Sequence, residues 1–253
     1  MKFVLSLLLM LIIPVSASTQ EHTWSFSSAK NKLQKKVYKD IQNPTTLYCG
    51  CSFTLADKKI DPTECGYIPK NDNIRAHRIE WEHIVPASHF GQWRYCWMQR
   101  KEKFKDQCQN KTNRQCCGKV DPEFRQMESD MHNLWPAIGE LNAIRSNFEY
   151  DIIPEEARNY GKCDFEVMYY NSRFDEFSIN MIEPPPAARG IIARAYKYMM
   201  NTYNIMTSCR TETLMDVWDH DFPPTPEECY RNLKILEIQG NDNPFITKKC
   251  TKG

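Results

Sequence analysis

The sequence has no Cys-x-x-Cys pair, no clustered histidines, no Gly/Ser-rich linker, no internal repeat and no low-complexity tract. The first two absences argue against structural zinc, which draws its ligands from such groupings. The others argue against a string of separately folded modules. Nor is there a global excess of either charge, since 33 Lys and Arg face 32 Asp and Glu for a formal net of +1. A strong polyanion binder would carry such an excess, so any contact of that kind has to be local. Beyond Val15 no run is apolar enough to span a bilayer, which takes about 20 residues.

What is there begins with Met1-Lys2, an apolar run from Phe3 to Val15, and the small residues Ser16-Ala17-Ser18. This is the pattern of a secretory signal peptide, with cleavage expected after Ala17. The expected division is a signal peptide over 1–17 and one domain over 18–253, long enough to bury a substantial core. Losing Lys2 takes the formal net charge from +1 to 0. No membrane contact is expected once the signal is gone.

Eleven cysteines lie downstream of the signal, which fits an oxidising compartment, periplasmic or extracellular. Cys49 and Cys51 are separated by one residue and Cys116 adjoins Cys117, so each is expected to pair with something distant. Connectivity is not readable from spacing. The odd count leaves at least one thiol free or bonded between chains. Between Arg94 and Lys119 eight basic residues face only Glu102 and Asp106, a net of +6. Phosphate is one partner for such a stretch, and a solvated loop that aids solubility is the other reading.

Leu33, Val37 and Ile41 recur at helical spacing among lysines, predicting an amphipathic helix over 27–41. A short-strand and turn region pinned by cysteines follows over 49–67, then a strand over 79–85 that stops at Pro86. The basic stretch has no clean period and reads as a loop. Asp121-Pro122 supplies an N-cap and a proline at the first helical position, opening a helix over 121–131, and a second helix is expected over 137–147 after Pro136. Three more helices are predicted over 187–203, 211–218 and 226–238, the first burying Ile191, Ala195, Tyr198 and Met199. The fold class expected is α+β, mainly helical with short strands.

The stretch that bears most on chemistry is Arg78-Ile79-Glu80-Trp81-Glu82-His83-Ile84-Val85-Pro86-Ala87. Hydrolysis of a phosphodiester needs a base for water, a cation on the phosphate and a way to hold extra negative charge. An imidazole titrates near neutrality and suits the base, while a carboxylate suits a hard divalent cation. Neighbouring strand residues point to opposite faces, so Glu82 and His83 would need a bulge or a strand end to share one cleft. Farther on, Asn142 and Arg145 are three apart and share a helix face, so an oxygen ligand and a cation could address one site. A buried strand histidine and ordinary surface polarity are the plainer readings of the same residues. Arg189, Arg194 and Lys197 lie on a predicted helix with no acidic neighbour between Pro184 and Tyr203, as a phosphate-holding face or as a plain solvated one.

The string from Arg78 to Ala87, with Phe90-Gly91, Cys96-Trp97, the block from Met127 to Leu134, Gly139-Glu140-Leu141-Asn142 and Arg145-Ser146-Asn147-Phe148, closely resembles the bacterial endonuclease I family. Further matches run from Tyr48-Cys49-Gly50-Cys51 to Ile238-Gln239-Gly240-Asn241 and Asn243-Pro244-Phe245, so practically the whole mature chain is covered. The resemblance implies a periplasmic or secreted nuclease that cuts DNA, and RNA, with little sequence preference, on a ββα-metal motif inside a mixed α/β fold. It implies His83 as general base and Glu82 with Asn142 as ligands of one magnesium ion, a site that manganese or calcium can also occupy. Glu128 matches a carboxylate that supports the site.

The family also places an arginine on the leaving side of the phosphate. Counting back from Asp121-Pro122 the match is Arg114, while counting forward from Cys96-Trp97 gives Arg100 or Lys101. The registers differ because this chain is longer over about 98–113, and the backward count is preferred because it also aligns a cysteine. Arg100, Lys101, Arg145, Arg189, Arg194 and Lys197 are the expected nucleic-acid contacts. Cys49, Cys51, Cys65, Cys96, Cys117, Cys163, Cys229 and Cys250 match the family pattern, and Cys108, Cys116 and Cys209 are extra. A bridge from Cys108 to Cys116 would close the insertion and leave Cys209 as the free thiol. A monomer is expected. The rival readings are a non-catalytic secreted binding protein on the same scaffold and a phosphodiesterase of small substrates.

Overall fold

A computed structural model describes residues 24–154, 157–171 and 178–250, so the expected signal peptide over 1–17 lies outside the described residues. The first helix, α1 (Phe26–Lys32), is capped by the Ser25 side chain and continues as one π-helical turn through Val37. Leu33 and Val37 are buried as the helical spacing predicts, but the helix expected over 27–41 ends at Val37, and Ile41 packs at the edge of the core from outside it.

Strand β1 (Ile79–His83) is followed by α2 (Ala87–Gly91), the single turn α3 (Tyr95–Met98), α4 (Asn113–Val120) and α5 (Pro122–Glu128). Thr112 and Gln115 close a capping box on α4, and Asp121 with Pro122 starts α5 as expected. The helix expected over 121–131 stops short because Ser129 turns its hydroxyl back onto the carbonyl oxygens of Arg125 and Gln126. Asp130 then caps a 3-10 turn over Met131–Asn133.

The segment after that turn departs from the expected helix over 137–147. It forms β2 (Leu134–Ile138) and only then α6 (Gly139–Arg145). All five β2 residues are buried, so no alternation marks the strand, and Pro136 is tolerated because the sheet has only two strands. β1 and β2 pair antiparallel with Glu82 opposite Trp135 and His83 opposite Leu134. Gly139 is required where α6 begins, because a Cβ there would sit 2.9 Å from the Arg75 carbonyl oxygen and 3.0 Å from the Glu80 carboxyl.

A three-stranded sheet that the sequence reading did not foresee is built from β3 (Glu149–Tyr150), β4 (Glu166–Asn171) and β5 (Ser178–Glu183), in the order β3-β5-β4. Buried Glu166 and Glu183 pair across β4 and β5, which breaks the polar-out pattern that identifies a strand. Helices α7 (Pro186–Tyr203), α8 (Cys209–Asp221), α9 (Pro226–Gln239) and α10 (Pro244–Cys250) complete the chain. On α7 the buried side includes Ala195, Tyr198 and Met199, with Ile192 fully inside and Ile191 only partly so. Asp130 ties this helical half to the site half, accepting hydrogen bonds from Tyr198, Tyr203 and Gln239.

Five disulfides link Cys49 to Cys163, Cys51 to Cys65, Cys96 to Cys117, Cys108 to Cys116 and Cys229 to Cys250, leaving Cys209 free and exposed. The insertion bridge and the free thiol are those expected, although Cys116 finds its partner only 8 residues away rather than at a distance. Among the described residues no helix is long and apolar enough to cross a membrane.

Candidate active site

Strand β1, the second half of α6 with the residues after it, and side chains from α1 and α4 enclose an open cleft of about 750 Å³. Glu82 and His83 both line it. The register between β1 and β2 advances one residue at a time, so there is no bulge at Glu82-His83. His83 is the last residue of β1, and the strand end brings it into the cleft that Glu82 reaches from the other face.

Glu82 is buried, with its Oε1 accepting from the Tyr48 hydroxyl at 2.9 Å and from Arg145 Nη1 at 3.1 Å. Burial pushes its carboxyl up to about 7, against the pull of Arg145 and Tyr48. Arg145 also donates to the carbonyl oxygens of His83 and Ile84, and its guanidinium lies 4.6 Å from the Tyr150 ring centroid. It therefore fixes both the carboxylate and the backbone that carries the imidazole.

His83 Nε2 lies 2.8 Å from the Glu128 carbonyl oxygen. A carbonyl can only accept, so Nε2 carries the proton and Nδ1 is left as the basic nitrogen. Burial first, and the Arg114 charge second, lower the imidazole to about 3, so it is neutral at physiological pH and able to take a proton. Phe26 packs its ring 4.7 Å from the imidazole. Lys30 Nζ lies 4.4 Å and the Arg114 guanidinium 5.1 Å from the Phe26 ring centroid. Arg114 Nε donates to Glu128 Oε1 at 2.6 Å, so one glutamate orients the imidazole through its backbone and the arginine through its side chain.

Asn142, on α6, donates from Nδ2 to Glu80 Oε2 at 3.1 Å, which leaves its Oδ1 as a free oxygen donor in the cleft. Arg75 and Arg78 hold the same Glu80 carboxylate. Among the described residues no three His, Cys, Asp or Glu side chains gather as a metal cage. An anionic oxygen from Glu82 and a neutral one from Asn142, with water around them, instead suit a hard cation that keeps much of its hydration, such as magnesium. Five cations (Lys30, Lys58, Arg75, Arg78 and Arg114) and three carboxylates (Asp57, Glu80 and Glu82) line the cleft, a local positive balance in a chain that has none overall.

Several expected nucleic-acid contacts are corrected. Arg145 is fully buried behind Glu82, as described. Arg194 is also fully buried, clamped by Glu228 and Asp219, and Lys197 is paired with Asp216 and Asp219. Arg189 pairs with Glu183 and lies against Trp218. The absence of acids along α7 misleads because β5, α8 and α9 supply them. Arg114 enters the cleft, whereas Arg100 does not line it and is spent holding the insertion together through Asn113 and the Lys111 carbonyl oxygen. Lys101 also lies outside the cleft lining, but it is exposed on the insertion and accessible to a partner.

Sequence reasoning missed Phe26, Lys30, Tyr48, Lys58, Arg75, Arg78, Glu80 and Trp97. Two signals were present: Arg78, Glu80 and Glu82 alternate along one strand face, and Phe26 and Lys30 are four apart on one helix face. Lys58 and Arg75 had none.

A positively lined cleft around a neutral, oriented imidazole suits a polyanion, and the strand, strand and helix that frame it belong to a nuclease of α+β fold. The Endonuclease I family pattern matches residues 25–250. Relatives include an "Extracellular deoxyribonuclease" of Aeromonas hydrophila, 40% identical over 97% of both chains. A "Periplasmic deoxyribonuclease" of the same species is 39% identical over 97% of this chain and 94% of its own. "Endonuclease-1" of Buchnera aphidicola subsp. Acyrthosiphon pisum is 41% identical over 86% of this chain and 78% of its own. The chain belongs to the Endonuclease I family.

Proposed function

We propose that this chain is a magnesium-dependent endonuclease, secreted or periplasmic, that hydrolyses DNA and RNA with little sequence preference and leaves 5′-phosphate ends. The observation that carries the reading is the neutral His83, with Nε2 committed to the Glu128 carbonyl and Nδ1 free, in one cleft with Glu82, Asn142 and Arg114. Nδ1 takes a proton from water as the water oxygen attacks phosphorus. The bond to the 3′ oxygen breaks, and that oxygen leaves with a proton from solvent. Arg114, held by Glu128, stabilises the charge that accumulates on the phosphoryl oxygens. Magnesium held by Glu82 and Asn142 would supply neutralisation of the departing oxygen. Relatives named deoxyribonuclease support DNA as substrate. RNA rests on the resemblance and on a cleft lined for phosphate.

The test is agarose analysis of supercoiled DNA and of RNA, with magnesium and with chelator. The wild-type protein should nick both only with the metal. His83→Ala should lose about 10²- to 10⁴-fold in rate, the usual span for a general base, while still binding DNA. Wild-type-like cleavage by that variant would overturn the mechanism. Cleavage of small diesters alone would favour the phosphodiesterase reading, and no cleavage under any metal the binding-protein reading.

A further inference from the structure

Beside the cleft, the turn after α2 and the short helix α3 present an unusual edge. Trp93 is 69% exposed, Tyr95 54% and Met98 55%, while Trp97 of the same turn points inward, lines the cleft and packs against Phe124. Three large apolar side chains exposed within six residues, next to a cleft, are the kind of surface that marks an interaction site.

The insertion over 98–113 comes back alongside this edge. Phe104 meets the Tyr95 ring edge-on at 5.7 Å and holds it in place. The bridge from Cys108 to Cys116 pins the insertion to α4, the helix that carries Arg114 into the cleft. Arg100 is consumed within the insertion, but Lys101, Lys103 and Lys105 are exposed and have no ion pair among the described residues. Aromatic faces and unpaired cations thus occupy one rim, continuous with the cleft through Trp97 and Arg114.

We propose that Trp93 and Tyr95 together with Lys101, Lys103 and Lys105 form an auxiliary surface that holds an unpaired nucleic-acid strand next to the cleft. Bases that are not stacked in a duplex can lie on exposed aromatic rings, while lysines follow the phosphates. Duplex bases are already stacked, so the aromatic pair discriminates in favour of unpaired strands and the lysines do not. The choice of a nucleic acid as occupant rests on the nuclease reading, but the surface does not depend on the chemistry of His83.

Binding of a fluorescent single-stranded oligonucleotide, and of the duplex of the same sequence, is measured by anisotropy in chelator with the full mature chain carrying His83→Ala. Adding Trp93→Ala/Tyr95→Ala should weaken single-strand binding about tenfold or more, on the order of the stacking loss of at least one base, and duplex binding less than about threefold. Lys101→Ser/Lys103→Ser/Lys105→Ser should weaken both and lower the slope of log affinity against log salt by about two for the single strand. Should the aromatic pair disturb folding, Trp93→Ala alone, in an exposed turn, gives the same comparison. Unchanged single-strand affinity, or equal losses on both forms, overturns the proposal. Plasmid nicking with His83 intact is read separately, so a protein that binds but cuts nothing sinks the nuclease reading and leaves this one standing.

Discussion

Arg145 shows how a single side chain can matter to the chemistry without facing the substrate. Its three hydrogen bonds go to the Glu82 carboxylate and to the carbonyl oxygens of His83 and Ile84. A lysine cannot make that planar set of contacts, so Arg145→Lys should leave buried acceptors unpaired. The expected result is a fall in kcat of about 10- to 100-fold with KM little changed, together with about 1–3 kcal/mol of stability, read by steady-state kinetics and urea unfolding. A KM effect with kcat intact would show that it contacts substrate after all. From the sequence, Glu82, His83 and Asn142 stood out as candidates by residue type, and the resemblance to the family gave them roles. Arg145 was legible as a cation but not as a buried one, since burial depends on Tyr150 and Tyr196, which come from other elements.

The helical half is held by a charge cluster that spans four elements. Arg194 on α7 is buried between Glu228 of α9 and Asp219 of α8, and Lys197 of α7 and Lys249 of α10 also reach Asp219. Burial pushes the Asp219 carboxyl up, but hydrogen bonds from Lys249 and Lys197 outweigh it and hold the group below its ordinary value of 3.8. A depressed folded-state value means that the stabilisation is present above the unfolded value and is lost as pH falls through the folded one. Urea midpoints should therefore decline below about pH 4, and Asp219→Asn should be less stable at neutral pH and show a shallower acid decline. An identical acid profile in the variant would remove Asp219 from the account. A helix start such as Asp121-Pro122 was readable because capping is local. The β2 strand and the β3-β5-β4 sheet were not, because uniform burial erases alternation in one and buried glutamates break it in the other.

At the scale of the molecule, the bridge from Cys49 to Cys163 joins residues 114 apart and sits next to Tyr48, whose hydroxyl holds Glu82. Cys49→Ser/Cys163→Ser should cost about 2–5 kcal/mol, whereas Cys209→Ser, at an exposed free thiol, should change stability by less than about 0.5 kcal/mol. Urea unfolding under non-reducing conditions distinguishes the two, and equal effects would contradict the assigned pairing. The sequence by itself determined the oxidising compartment, the α+β class and helix starts such as Asp121-Pro122, because cysteine content and capping are local properties, whereas roles for Glu82, His83 and Asn142 came only with the family resemblance. The tertiary structure decided that Arg114 rather than Arg100 reaches the cleft, that the cations of α7 are spent on acids from neighbouring elements, and that Phe26 packs on the imidazole with Lys30 lining the same cleft. Those outcomes depend on which elements pack together, and no spacing along the chain encodes the partner that arrives from elsewhere in space.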